Sequence, residues 1–143
     1  AGINQLRVGE GILLGTDTTH SYEIPWLHQD AFLLKTEVIE VKVKPSVPIG
    51  TAGRDAFGCT PVFEDRGKRK RAIVAIGRQD VNIEGLAPLD DRHYILGASS
   101  DHLIVDVTDG EDIAVGDAVT FRLKYQGLLS TTTSKYVRKV YRD

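Results

Sequence analysis

From residue 103 to 107 every second position is apolar: Leu103, Val105 and Val107 fall on one side, while His102, Ile104, Asp106 and Thr108 fall on the other. A period of two lays one face of an extended strand on a core and leaves the other outside. The chain repeats this pattern in short pieces and nowhere holds a helical period for long. Val119, Phe121, Leu123 and Tyr125 line one face of another strand, and 72–76 is apolar on both faces, as a central strand would be. The longest strand candidate, 33–44, changes phase: Leu34 and Val38 are even, whereas Ile39, Val41 and Val43 are odd. One slipped residue turns a strand over, so this pattern predicts either a bulge near Val38 and Ile39 or a strand that passes between two sheets.

Between these runs lie turn-formers at fairly regular intervals: Pro45 to Gly50, Gly53 and Gly58, Asp109-Gly110, and Val115-Gly116-Asp117. Residues 6–15 read as a glycine-punctuated turn followed by a short apolar strand, and 16–30 and 81–92 as loops. The tail from 128 onward alternates hydroxyls with Tyr136, Val137, Val140 and Tyr141. Short strands spaced by turns predict an all-β barrel or sandwich. At 143 residues the chain suits one domain with a real core.

Charge and cysteine usage narrow the partners. A net charge of −2 offers no global attraction for nucleic acid or an anionic membrane, and no run is apolar enough to span a bilayer. Cys59 is the single cysteine, which excludes an intrachain disulfide and favours a reducing, cytoplasmic setting. The sequence contains no methionine and opens Ala1-Gly2-Ile3, so we expect a piece of a longer polypeptide. One local exception to the charge balance is the dense run 64–71, with Arg66, Lys68, Arg69, Lys70 and Arg71. It reads as a solvated hairpin, with a free-standing β-barrel module that binds nucleic acid through this loop as the alternative.

Four polar clusters carry what chemistry the residues suggest: Arg7 to Gly9, Arg54 to Phe57, Arg78 to Asp80 and Ser99 to Asp101. The last is a turn of small polar residues whose backbone amides suit a carboxylate. A serine nucleophile there is disfavoured, because Asp101 and His102 are adjacent on an extended chain and point to opposite faces. His20, His28, His93 and His102 show no metal-ligand spacing, and neither a phosphate-binding Gly-Lys-Ser/Thr loop nor a Gly-x-Gly-x-x-Gly helix start is present.

As a set, TEVIEVKVKPSVPIG, DAFG, RAIVAIGRQD, ILGASSDHLI, VGD and TSKYV resemble the landmarks of the C-terminal domain of alanine racemase-like enzymes, the fold type III pyridoxal phosphate family, and most of all its ornithine racemase-like branch. The resemblance covers nearly the whole chain. It implies an all-β C-terminal domain over 16–143, preceded by 1–15 as the last strand of an N-terminal α/β barrel that is otherwise missing. It further implies a head-to-tail homodimer in which this domain completes the partner's active site. The substrate would be an amino acid, ornithine or another basic one, and pyridoxal 5'-phosphate would be held on a barrel lysine. Without that lysine the chain alone is expected to be inactive.

By the same resemblance, Arg7 would face the pyridine nitrogen, the backbone around Gly9 and Glu10 would meet the phosphate, and either Tyr136 or Tyr141 would bind the phosphate too. Arg78 stands where alanine racemases carry a tyrosine acid/base. A guanidinium is always protonated, so Arg78 is expected to orient a substrate carboxylate or side chain instead. Ser99, Ser100 and Asp101 would sit at the partner's active-site mouth, with Asp101 and Asp55 receiving the distal amine of a diamino acid.

Overall fold

In a computed structural model that describes residues 2–17, 19–20, 22–50, 53–54, 58, 60 and 62–142, one long strand organises everything else. Ahead of it come a short helix α1 (Glu10–Leu14) and a two-stranded ladder of β1 (Thr16–Asp17) and β2 (Tyr22–Glu23). The long strand is β3 (Leu33–Pro45). Beyond it come β4 (Lys68–Val74), a 3₁₀ turn (Ile83–Gly85), β5 (Leu86–Pro88), β6 (Tyr94–Ala98), β7 (Leu103–Asp106), β8 (Ala118–Leu123) and helix α2 (Tyr125–Thr133).

The sheet is antiparallel throughout, in the order β5-β8-β3-β4-β7-β6. Strand β3 serves both halves: its residues 33–37 pair with β8, and from Val38 onward it pairs with β4, with a register shift between Val38 and Glu40. At the change-over the Val38 amide donates to the Asp117 carbonyl at 2.8 Å, and the Ala75 amide donates to the Glu37 carbonyl at 3.0 Å. Both readings of the phase change therefore hold, a bulge and a hand-over between half-sheets. The two edge strands, β5 and β6, are consecutive in the chain, and the six strands form a nearly closed barrel.

One apolar cluster fills it, drawing Leu34 and Val38 from β3, Ala72 and Val74 from β4, Leu103 and Val105 from β7, and Val119 and Phe121 from β8. The period-of-two expectation for Leu103, Val105 and Val107 holds, since all three are buried. The fold class is all-β, as the sequence predicts.

Helices appear where strands or loops were expected. Residues 10–14 form α1 rather than a strand: no neighbouring strand offers them a ladder, and Gly15 at φ +66° closes the helix. Residues 16–30 are not all loop, because β1 and β2 pair within them, and the stretch 81–92 contains β5. The charge run is half strand, since β4 begins at Lys68. The tail is helical up to Thr133, although Ser and Thr are weak helix formers. Their hydroxyls turn back onto the helix: Ser130 donates to the Gln126 carbonyl, Thr131 to Gly127, Thr132 to Leu128 and Thr133 to Leu129, at 2.7–3.0 Å.

Helix α2 is held on the 3₁₀ turn at backbone-to-backbone distance. A Cβ added at Gly85 would run into the Gly127 backbone, and one added at Gly127 into the Gly85 carbonyl oxygen. Neither main chain can yield without moving the helix. Gly85→Ala is therefore expected to cost about 1–3 kcal/mol in denaturant unfolding, whereas Gly97→Ala, with nothing within 4 Å of its added Cβ, changes stability by much less.

Candidate functional site

Strand β4 leaves the core at Val74 and the chain turns at Gly77, where the absence of a side chain lets two turns meet. A Cβ at Gly77 would collide with the Ser100 carbonyl and the Asp101 amide. With hydrogen there instead, the two turns lie flat on one another: the Arg78 amide donates to the Ser99 carbonyl at 2.9 Å and the Gln79 amide to the Ser100 carbonyl at 3.0 Å. Arg78 and Asp101 thus hang from adjoining segments, although 23 positions separate them.

The 99–102 turn is self-supporting. The Ser99 amide donates to the His102 carbonyl at 2.9 Å, the His102 amide donates to Ser99 Oγ at 3.1 Å, and Ser100 Oγ donates to the Asp101 carboxylate at 2.7 Å. Ser99, Ser100 and Asp101 are exposed, as is Arg78, whose guanidinium lies 3.5 Å from the Glu84 carboxylate. The tail joins the same rim. Ser134 Oγ donates to Asp80 Oδ1 at 2.6 Å, and the Tyr136 amide donates to Ser134 Oγ at 3.1 Å. Sequence reasoning singled out Asp80 only as part of a cluster and missed Ser134. The available signal was a serine standing just ahead of the tyrosine in TSKYV.

Of the remaining expected residues, Tyr136 reaches this rim through its backbone alone. Arg7 and Gly9 are exposed on the segment leading into α1, and Glu10 opens that five-residue helix. Tyr136 is 69% and Tyr141 93% exposed. Asp55 lies outside the described residues.

These positions do not by themselves hold pyridoxal phosphate. No described hydrogen bond or cavity joins Arg7, Gly9 and Glu10 to either tyrosine. Neither described hollow reaches these residues, though the smaller one borders the rim at Ser99. One of about 260 Å³ on the outer sheet face is lined by Ile39, Glu40, Ile73, Ser99, His102 and Ile104. Another, of about 750 Å³, has Asp90, Asp91, Glu111 and Asp112 in its wall beside Arg92 and His93. Among the described residues no three His, Cys, Asp or Glu gather as metal ligands would.

The basic run is absorbed within the chain. Arg66 pairs with Glu64 at 2.7 Å, Arg69 with Asp106 at 2.8 Å and Asp109 at 2.5 Å, and Lys70 with Asp112, while Arg71 donates to the Pro45 and Ser46 carbonyls. Cations so engaged are poorly placed to meet phosphates. Burial pushes the Asp106 carboxyl up, but hydrogen bonds from Arg69 and Thr108 outweigh it and hold the group below the ordinary carboxylate range.

The structure defines an all-β barrel whose polar rim is built from turns distant in the chain. No protein-family model matches the chain. It is 55% identical over 140 residues to the lysine racemase of Thermotoga maritima, covering 98% of this chain and 40% of that protein. It is 54% identical over 139 residues to the ornithine racemase of Acetoanaerobium sticklandii, covering 96% of this chain and 39% of that protein. Over the segment it spans, the chain is similar in sequence to these two amino-acid racemases. That segment is about two fifths of the relatives' length.

The Arg69–Asp106 pair gives a pH prediction. A carboxyl whose folded pKa is lowered contributes stability that is present above its unfolded pKa and is lost as pH falls through the folded value. Asp106→Asn is therefore expected to lower the unfolding midpoint at pH 7, and the gap from the wild type should narrow below about pH 4. An equal gap at pH 7 and pH 3 in urea titrations would contradict a charge-based role.

Proposed function

We propose that this chain is the C-terminal β domain of a pyridoxal phosphate-dependent amino-acid racemase that acts on a basic amino acid such as ornithine or lysine. In this reading 1–15 belongs to the end of an N-terminal α/β barrel and 16–143 is the β domain. The barrel carries the cofactor and its lysine, and the working enzyme is a cytoplasmic head-to-tail homodimer. No helix of the described residues is long and apolar enough to cross a membrane. The observation that carries the reading is the 55% identity to a lysine racemase across nearly the whole chain. The meeting of the 77–80 and 99–101 turns at one rim supports it from geometry.

The rim residues have distinct tasks in this reading. Arg78, permanently cationic and forked, orients the substrate carboxylate or an acidic edge of the partner's pocket. The Ser99 and Ser100 segment offers hydroxyls and amides toward the carboxylate. Asp101, with Asp55 as its companion, receives the distal ammonium of a diamino acid, and a carboxylate there selects basic side chains over neutral ones. Arg7, Gly9, Glu10, Tyr136 and Tyr141 meet the cofactor only when barrel and partner supply the rest of its pocket.

Two measurements test this. The full-length parent enzyme, supplied with pyridoxal phosphate and one enantiomer of ornithine or lysine, is expected to yield the racemate by chiral chromatography, while the 143-residue chain alone yields none. Turnover by the isolated chain, or none by the parent, would overturn the assignment. In the parent, Asp101→Asn is expected to raise KM for ornithine about 10- to 100-fold, the loss of one charge-assisted contact. Its effect on the uncharged isostere norleucine should be small, and an equal loss for both substrates would remove Asp101 from the side-chain subsite.

A further inference from the structure

Beside the packing of Val137 on the core, the tail meets the rim through the hydroxyl of Ser134. Ser134 Oγ donates its one proton to Asp80 Oδ1 at 2.6 Å and accepts the Tyr136 amide at 3.1 Å. A hydroxyl has one donor and two acceptor sites, so the Asp80 carboxylate decides which way that donor points. By drawing the proton to itself it leaves a lone pair facing the Tyr136 amide, and a bond to a carboxylate makes the serine oxygen a better acceptor for the next donor. Asp80 is also fixed in its own turn, its amide donating to the Gly77 carbonyl at 3.0 Å. That turn carries Arg78 and rests on Ser99 and Ser100.

Helix α2 has other attachments. The Asn82 amide donates to Ser130 Oγ at 2.9 Å, the Lys124 amide donates to the Gly85 carbonyl at 2.9 Å, and Gly85 and Gly127 lie against each other. Cutting the Asp80 link therefore leaves the helix seated and Val137 still packed on the core, and loosens the backbone at Tyr136 between them.

We infer that Asp80 is a positioning residue. Acting through the Ser134 hydroxyl, it holds the backbone of Tyr136 against the turn that bears Arg78, so that the tail and the Arg78–Ser99–Asp101 rim form one wall. This deepens the proposed racemase reading and, in its kinetic part, rests on it. Asp80 itself touches no substrate; its effect is transmitted through the Ser134–Tyr136 backbone.

The test uses the full-length parent enzyme and two readouts. The first is amide hydrogen exchange, resolved at Tyr136 and compared with the core amides of Leu103 and Val105. Asp80→Ala and Ser134→Ala are each expected to speed exchange at Tyr136 about tenfold while leaving the core amides unchanged, and the double variant should add little to either single one. Asp80→Asn keeps an oxygen that accepts from Ser134, so it should preserve most of the protection. The second readout is steady-state racemisation, where Asp80→Ala is expected to raise KM with a smaller change in kcat, and Asp80→Asn to restore it.

Unchanged exchange at Tyr136 in both alanine variants overturns the link. Faster exchange with KM and kcat both unmoved overturns the positioning role. If the parent enzyme does not racemise basic amino acids, the proposed function fails, yet the exchange comparison still decides whether Asp80 holds the tail.

Discussion

The hand-over within β3 is the constraint on which the remaining architecture depends. A single 13-residue strand pairs with β8 along its first residues and with β4 along the others, and the one-residue slip at Ile39 lets it present apolar side chains inward on both sides of the bend. Without that slip, Val41 would face outward wherever Val38 faces inward. With it, Leu34, Val38, Ala72, Val74, Leu103, Val105 and Phe121 enclose a common core. A bulge also adds local twist, which helps to bring the far strands of the sheet around toward one another.

The polar rim is a by-product of how strands leave that core. Buried strands must end where their backbone groups can find partners, and β4 and β6 end beside one another in the turns at Gly77 and Ser99. Their unpaired amides and carbonyls satisfy each other, which leaves the Arg78, Ser100 and Asp101 side chains pointing away from the barrel. The tail is clipped to the same place by Ser134. A site assembled this way is open to a second body, and it does not enclose a cofactor with its own described residues.

Electrostatics divide the surface into used and unused charge. The run Arg66 to Arg71 is the most conspicuous basic feature of the sequence, yet Arg69 is bound to two aspartates and Arg71 to two carbonyls. What looks like a basic patch in one dimension is in good part tied up within the chain, Arg69 to Asp106 across the β4–β7 ladder and Arg66 to its neighbour Glu64. Asp106 stands beside Arg69 because β4 and β7 pair, a fact that no local reading of either run contains.

Period, phase and turn chemistry were sufficient to read the all-β class, the inward face of β7 and the break at Val38, because each is a local consequence of alternating side chains; of the expected faces of β3 and β8, Ile39 and Val43 proved exposed, and Tyr125 opens α2 rather than extending β8. They were also sufficient to pick out Arg78 and Ser99 to Asp101 as polar clusters. Helix α1 and helix α2 stayed hidden: the first is too short to show a period, and the second is built of threonines whose hydroxyls satisfy the backbone only once the helix exists. Which clusters meet was decided by tertiary structure alone. Gly77 gives no hint that Ser100 will lie against it, and Asp80 and Ser134 stand 54 positions apart, joined by sheet pairing and by a close contact between two glycines. Strand character is inscribed residue by residue, but proximity between distant turns is set by the register of the strands between them.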